Sequence, residues 1–239
     1  MNGSDPSCWA YPDMLEVGCA HGPGGDHDPG LTAAETRSHF GAWAIVSSPL
    51  TLSMDVNNDT VMDAVWPVVA NKEAIAVNQA WAGHSGSPFK TAGEIAAASS
   101  SSSKVELKFR SPRGPAEVGV ALEGATKKTT TTSESGSESE AVEVSFSVPA
   151  WQYFYKPLGA GSVAVLLMNH LPSGTADLQL ALADVPGLDV ICGSSGSGGC
   201  MVRDVWARSD VGVFAYNATY TAAGLEPHDA AFITISAAQ

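Results

Sequence analysis

Thr32-Ala-Ala-Glu-Thr-Arg-Ser-His-Phe-Gly-Ala-Trp-Ala-Ile-Val-Ser-Ser-Pro49 is the stretch on which the fold turns. Thr32 and Glu35 stand at capping-box spacing, in which the two side chains satisfy each other's free backbone N–H groups at a helix start. Phe40, Trp43, Ala44 and Val46 then recur at helical intervals until Pro49 stops the run. A helix is therefore expected between Thr32 and Pro49. Before it, Trp9-Ala-Tyr-Pro-Asp-Met-Leu-Glu-Val-Gly18 reads as a short strand with its turn, and after it Pro49-Leu-Thr-Leu-Ser-Met-Asp55 alternates like a second strand. Strand, helix and strand in that order suggest a βαβ unit. Residues 60–65 and 71–78 read as short helices separated by Pro67.

The periodicity changes further along. Val105-Glu-Leu-Lys-Phe109, Val142-Glu-Val-Ser-Phe-Ser-Val148 and Gln152-Tyr-Phe-Tyr155 alternate with period two, and 163–168, 176–182, 211–216 and 231–235 continue the series. Many short strands with turns between them predict an antiparallel sheet or sandwich. The boundary is expected near 84–95, giving an α/β segment over residues 1–90 and an all-β domain over 91–239. Two polar tracts inside the second segment, near 96–103 and over 126–140, read as Ser/Thr-rich flexible insertions or loops.

Composition bounds the function. The 239 residues carry 12 Lys+Arg against 25 Asp+Glu, a formal charge of −13, and basic residues gather no further than pairs such as Lys127-Lys128. Duplex binding rests on clustered cations that release counterions, so no nucleic-acid partner is expected, and an anionic membrane surface is equally unattractive. Hydrophobic residues make up 44% and charged ones 15%, a globular balance, and the best apolar run, 163–168, is strand-sized. A soluble chain is expected. Met1-Asn-Gly-Ser-Asp-Pro has neither the basic nor the apolar region of a signal peptide. Secretory features are nonetheless present. Asn2, Asn58 and Asn217 begin sequons, and the four cysteines fall into two local pairs, Cys8/Cys19 and Cys192/Cys200. Disulfides are favoured over metal because no nearby His or second Cys completes a zinc spacing, although four cysteines permit three connectivities.

No phosphate-binding loop, dinucleotide fingerprint or zinc-protease helix occurs, and no cofactor is expected. His21, Asp26, His27 and Asp28 offer metal-type donors, but they sit in a Gly/Pro loop without a repeating ligand spacing, so no metal is assigned. Asp13 and Glu16 place carboxylates near a strand end. Their odd separation puts them on opposite faces of a regular strand, which rules out the close pair that a retaining glycosidase needs. Asp13 alone, after Pro12, remains able to line a pocket.

Trp9-Ala-Tyr-Pro-Asp-Met-Leu-Glu-Val-Gly18 resembles the Trp-Asn-Asp-Pro-Asp-Met-Leu-x-x-Gly motif of family 27 glycoside hydrolases, the α-galactosidases. Residues 31–45 are similar to that family's next helix, Ser48-Pro-Leu-Thr-Leu52 to its next strand, and Asn71-Lys-Glu-Ala-Ile-Ala-Val-Asn-Gln79 to its Asn-Lys-Glu-Val-Ile-Ala-Val-Asn-Gln segment. Tyr155-Lys-Pro-Leu158 with 163–169 resembles the opening of the family's C-terminal β domain, and Val202-Arg-Asp-Val-Trp206 and Pro227-His-Asp-Ala-Ala231 its closing motifs.

The resemblance implies a (β/α)8 TIM barrel followed by an antiparallel β-sandwich, and retaining hydrolysis of terminal α-D-galactosyl residues by two aspartates. A barrel takes about 250 residues, so some 90 residues hold only its last two or three units. The resemblance then implies that the nucleophile and acid/base strands have no counterpart here, that this chain is the C-terminal part of such an enzyme, and that it is inactive alone. Asp13 would hold a substrate hydroxyl, with Met14 and Trp9 in the pocket wall. The partner would be an α-galactoside oligosaccharide or glycoconjugate, and the complete protein would be secreted, lysosomal or vacuolar. Asn78-Gln-Ala-Trp-Ala-Gly83 departs from the family's Asn-Gln-Asp-Pro-Leu-Gly, and Ala10-Tyr11 replaces Asn-Asp. These departures leave α-N-acetylgalactosaminidase and β-L-arabinopyranosidase specificities open. A non-catalytic carbohydrate-binding or structural fragment is the alternative from another class.

Overall fold

The computed structural model describes residues 12–22, 26, 29–92, 104–111, 126–132, 139–193 and 198–238. Packing divides the chain into two compact units, Met1–Thr91 together with Trp151–Gln239, and Ala92–Ala150. The chain leaves the first unit after Thr91 and returns to it at Trp151.

In the first unit the expected helix is α1 (Ala33–Ile45). Thr32 Oγ1 accepts from Glu35 N and Glu35 Oε2 from Thr32 N, so the capping box is formed. α2 (Asp59–Val69) runs through Pro67 instead of ending before it. Proline removes one helical N–H, and Asp63 and Pro67 are both exposed, a place where water can serve the carbonyl left without its donor, so the helix continues through the break expected from sequence. α3 (Lys72–Gln79) is capped by Asn71, whose Oδ1 accepts from Glu73 N and Ala74 N. The two strands of the expected βαβ unit shrink to one parallel bridge, Leu15 to Leu52, closed by Leu15 N donating to Thr51 O at 2.9 Å.

The antiparallel half is a β-sandwich. Strands β1 (Ser87–Thr91), β5 (Trp151–Gly159), β6 (Ser162–Asn169), β11 (Ala230–Ala237), β8 (Gly199–Asp204) and β9 (Ser209–Ala215) form one sheet in the order β1-β5-β6-β11-β8-β9, while β7 (Ala176–Ala181) pairs with β10 (Thr219–Leu225). A short helix, α4 (Leu188–Cys192), precedes β8.

Because neighbouring side chains on a strand point to opposite faces, the large sheet has two sides, and both are covered. Ala164, Leu166 and Phe232 pack with Phe40, Ala44, Ile45, Ala74 and Val77 of the helices. Val163, Val165, Leu167, Ile233 and Ile235 on the other side are fully buried, and Tyr153 Oη there reaches β7, donating to Gln179 O at 3.0 Å. The double cover explains why β6 reads as a continuous apolar run instead of an alternation. Gly41 lets α1 approach: a Cβ there would stand 2.8 Å from Leu166 Cδ1.

The second unit is a three-stranded antiparallel sheet, β2 (Lys104–Ser111), β3 (Thr126–Thr132) and β4 (Ser139–Pro149), in the order β2-β4-β3. Residues 126–132, expected to be part of a flexible loop, are thus a paired strand. Threonine is β-branched and suits an extended backbone even without apolar alternation. The tract near 96–103 lies outside the described residues.

Candidate functional site

The segment carrying Asp13 is fixed through its backbone. Trp43 Nε1 on α1 donates to Asp13 O at 2.9 Å, Ser48 Oγ to Pro12 O at 3.4 Å, and Ser53 Oγ to Leu15 O. Glu16 N donates to His39 Nε2 at 3.1 Å, which fixes that ring nitrogen as an acceptor. The His39 ring stacks on Trp43 with centroids 3.9 Å apart, and burial lowers its pKa, so both effects favour the neutral imidazole. With the backbone held, the Asp13 and Met14 side chains face outward. Met14 is 50% exposed, and Asp13 Oδ1 accepts from Met14 N at 2.8 Å. Trp9, the third expected pocket residue, lies outside the described residues.

Two clefts flank this segment, and Asp13 appears among the described lining of neither. The smaller, about 290 Å³, lies between α1 and the end of β6 and includes His39, Trp43, Asn169 and His228. The larger, about 540 Å³, is lined by Ser47, Ser48, Pro49, Asn78, Gln79, Ala80 and Trp81. Asn78 is its buried strut, since Nδ2 donates to Ser48 O at 2.8 Å and to Trp43 O at 3.2 Å.

Beneath the larger cleft sits a residue that sequence reasoning missed. Lys156 of β5 is fully buried on the helix-facing side of the sheet. Its Nζ lies 2.6 Å from Ser47 Oγ, and it donates to Val77 O at 2.5 Å, Asn78 O at 3.0 Å and, more weakly, Ala44 O at 3.5 Å. Those carbonyls end α1 and α3, where the last carbonyls of a helix lack intrahelical donors and the dipole attracts cations. Burial lowers the Lys156 pKa to about 8. The only sequence signal was one lysine among apolar neighbours in an otherwise uncharged strand.

The remaining expected residues fall as follows. Cys192 and Cys200 form a disulfide between α4 and β8. Cys19 is half-buried, bonded to no cysteine among the described residues, with Sγ 3.7 Å from Ser53 Oγ, and Cys8, its expected partner, lies outside the described residues with Asn2. Asn58 is exposed and caps α2, its Oδ1 accepting from Val61 N at 3.3 Å. Asn217 occupies the turn between β9 and β10. His21 Nε2 and Asp26 Oδ1 are 3.8 Å apart, His27 and Asp28 lie outside the described residues, and no group of three metal-type donors occurs among the described ones.

Comparison with known proteins adds to this geometry. Residues 149–235 match the family described as the alpha galactosidase C-terminal beta sandwich domain. Alpha-galactosidase 2 of Arabidopsis thaliana is 38% identical over 91 residues, which take in 38% of this chain and 20% of that protein. Among solved structures, the α-galactosidase from Saccharomyces cerevisiae with raffinose superposes with a TM-score of 0.57 at 17% identity, covering 95% of this chain and 46% of that one. A family 27 β-L-arabinopyranosidase from Geobacillus stearothermophilus gives 0.57 at 17% identity, covering 96% and 37%. At these identities the structural likeness is one of fold. The matched stretch thus spans about a fifth of the curated relative and less than half of each solved structure.

Proposed function

We infer that this chain, whose residues 149–235 form an α-galactosidase C-terminal β-sandwich domain, is the C-terminal part of an α-galactosidase-like glycoside hydrolase. One observation carries the reading. The fold likeness does not stop at the β-sandwich but covers 95% of the chain, a share that cannot leave out the segment of α1 to α3. On this reading α1 to α3 and the Leu15/Leu52 bridge are the last βα units of a (β/α)8 barrel. Parallel strands normally lie buried on both faces within a larger sheet, and a lone parallel bridge with exposed Met14, Leu52, Val56 and Trp66 nearby in sequence fits a surface that further units would cover.

The reaction is retaining hydrolysis of a terminal α-D-galactosyl residue in an oligosaccharide or glycoconjugate. One carboxylate attacks the anomeric carbon while the other protonates the leaving oxygen and then activates water. Both carboxylates belong to barrel strands outside residues 1–239. Asp13, outward-facing on a backbone fixed by Trp43 and Leu15, binds a sugar hydroxyl, and Met14 and Trp9 form the wall. α-N-acetylgalactosamine and β-L-arabinopyranose are the alternative sugars. The Cys192–Cys200 disulfide supports an oxidising destination, secreted or lysosomal/vacuolar, and Asn2, Asn58 and Asn217 are the glycan acceptors there.

The test is hydrolysis of a chromogenic α-galactoside by the 239-residue chain beside a chain joined upstream to complete barrel strands of an α-galactosidase. Turnover by the joined form alone is the expected result. Activity in the short chain would move the acid and nucleophile into these residues, and inactivity of both would favour a non-catalytic carbohydrate-binding module.

A further inference from the structure

We propose that the cleft between α1 and the end of β6 is a second saccharide site, one that holds a single neutral sugar ring and steadies the Asp13 segment when filled. Three of the side chains that line it carry polar atoms with no partner among the described residues. Glu35 caps α1 through Oε2, which leaves Oε1 unengaged. His39 accepts from Glu16 N through Nε2, so its proton sits on Nδ1, a donor that no described residue receives. The His228 ring is unengaged as well, because the bond that ties its turn to α1 uses the carbonyl, which accepts from Ser38 Oγ at 2.5 Å. Water serves such groups in solution, and a ligand that displaces it has to replace both kinds of bond.

That mixture selects the ligand class. The described lining holds no Lys or Arg, so an anion would meet the Glu35 carboxylate without a fixed cation to offset it. A small cation would find only one carboxylate oxygen, the other being spent on Thr32 N, and no group of three metal-type donors occurs among the described residues. A wholly apolar ligand would strand Oε1 and the imidazole N–H. Hydroxyl groups both donate and accept, and a sugar ring carries several of them beside a C–H face that suits the apolar surface of Trp43 and Met168. At about 290 Å³ the cleft stands at the small end of ligand sites, which run from about 300 to 1,000 Å³, so it takes one ring and not a chain of them.

Two of the lining side chains also hold the Asp13 segment. Trp43 Nε1 donates to Asp13 O at 2.9 Å, His39 Nε2 accepts from Glu16 N at 3.1 Å, and the two rings stack on each other. A sugar packed against both rings narrows their motion, and the backbone bonds they make to residues 13 and 16 are strengthened with them. Linkage then requires that a ligand at Asp13 tighten binding in the cleft by the same factor. The site itself stands apart from the activity inferred above; only its coupling to sugar binding at Asp13 rests on that reading.

The experiment titrates the isotope-labelled full chain with methyl α-D-galactopyranoside, with methyl α-D-glucopyranoside and with tetramethylammonium, and follows the Trp43 indole N–H and the His39 and His228 ring signals by NMR. With at least one sugar the three signals are expected to shift together and to saturate, with a dissociation constant on the order of millimolar for a ligand of this size. Asp13→Asn keeps the titration, which separates this site from one at Asp13. Glu35→Gln retains the cap oxygen, and His228→Asn suits the left-handed backbone there, φ 59°, so each folds and weakens binding about tenfold. Amide exchange at Glu16 slows about fivefold under saturating sugar. No saturable shift with either sugar, a preference for tetramethylammonium, loss of the titration in Asp13→Asn, or wild-type affinity in both lining variants overturns the site. Should a lining variant not fold, the wild-type and Asp13→Asn titrations decide. Unchanged exchange at Glu16 overturns the coupling. The titration is repeated on the chain joined to upstream barrel strands: loss of the shifts there means that those units fill the cleft, which rejects the site, whereas a joined chain that titrates but hydrolyses no α-galactoside rejects the glycosidase reading and leaves the site standing.

Discussion

Arg37 and Asp229, 192 residues apart in sequence, meet in a two-point ion pair, with Nε donating to Oδ1 at 2.9 Å and Nη2 to Oδ2 at 2.6 Å. The pair fastens the second turn of α1 to the turn that opens β11, beside Ser38 Oγ donating to His228 O at 2.5 Å. Asp229 is the more deeply buried partner, at 8% side-chain exposure against 30% for Arg37. Removing the cation therefore strands a carboxylate. Arg37→Met is expected to lower stability by about 2 kcal/mol, below the range for fully buried pairs because solvent reaches the guanidinium. Urea midpoints of the two proteins check this, and a loss under about 0.5 kcal/mol would class the pair with ordinary surface bridges.

Lys156 makes stability depend on pH in an unusual direction. Its folded pKa, about 8, lies below the unfolded value of 10.5, so between these values the unfolded chain binds more protons. Stability contributed by this group is therefore lowest below pH 8 and rises as pH climbs towards 10.5. The stability of wild type relative to Lys156→Met should increase by a few kcal/mol on the order of magnitude across that window. Melting curves of both proteins from pH 7 to 10.5 give the difference, and a flat or falling difference contradicts it.

Opening the Cys192–Cys200 bridge should cost about 2–3 kcal/mol, because the cross-link restrains a short loop in the unfolded chain. Both sulfurs are buried, so reduction should require partial unfolding. The double variant Cys192→Ala/Cys200→Ala, compared with wild type by urea unfolding, measures the cost without a reductant.

Asn58 allows the cap and the sequon to be separated. Asn58→Ala removes both and should lower stability by about 1 kcal/mol, whereas Asn58→Asp keeps the capping oxygen and should leave it near wild type. Expressed in a secretory host, both variants should lose the mass of one glycan. An unchanged mass in both would remove Asn58 from the acceptors.

Asp13→Asn should leave folding within about 0.5 kcal/mol, since the side chain is exposed and an amide oxygen can still accept from Met14 N, while the Asp13 carbonyl keeps its bond from Trp43. In a chain joined to the catalytic strands, the same change should lower turnover on an α-galactoside. Unchanged kinetics would reject sugar binding by Asp13.

Particular residues show how far the fold could be read beforehand. Thr32 and Glu35 announced α1 because a capping box is a local event, and β4, β5 and β11 were legible from alternation alone. Pro67 misled because its cost depends on whether the orphaned carbonyl meets water, which only the fold decides. β3 was unreadable because its threonines and lysines give no apolar rhythm, and β8 and β10 carry Arg203 and paired glycine or alanine positions that blur theirs. At the site, Asp13 could be named from its motif, but its outward aim could not. The Lys156–Ser47 contact bridges 109 residues of sequence, a separation at which no local pattern operates.

Thr91 and Gln152 stand directly opposite one another where β1 pairs with β5, so residues 92–150 leave and rejoin the sandwich through facing backbone positions. Such a junction is a port. The pairing across it needs only that its two ends be held together, and closure entropy grows by about 0.6 kcal/mol for each doubling of the connecting length. The sandwich should therefore accept a short turn, the native segment or an unrelated module at the same place, which makes this hairpin a natural cassette site for grafting.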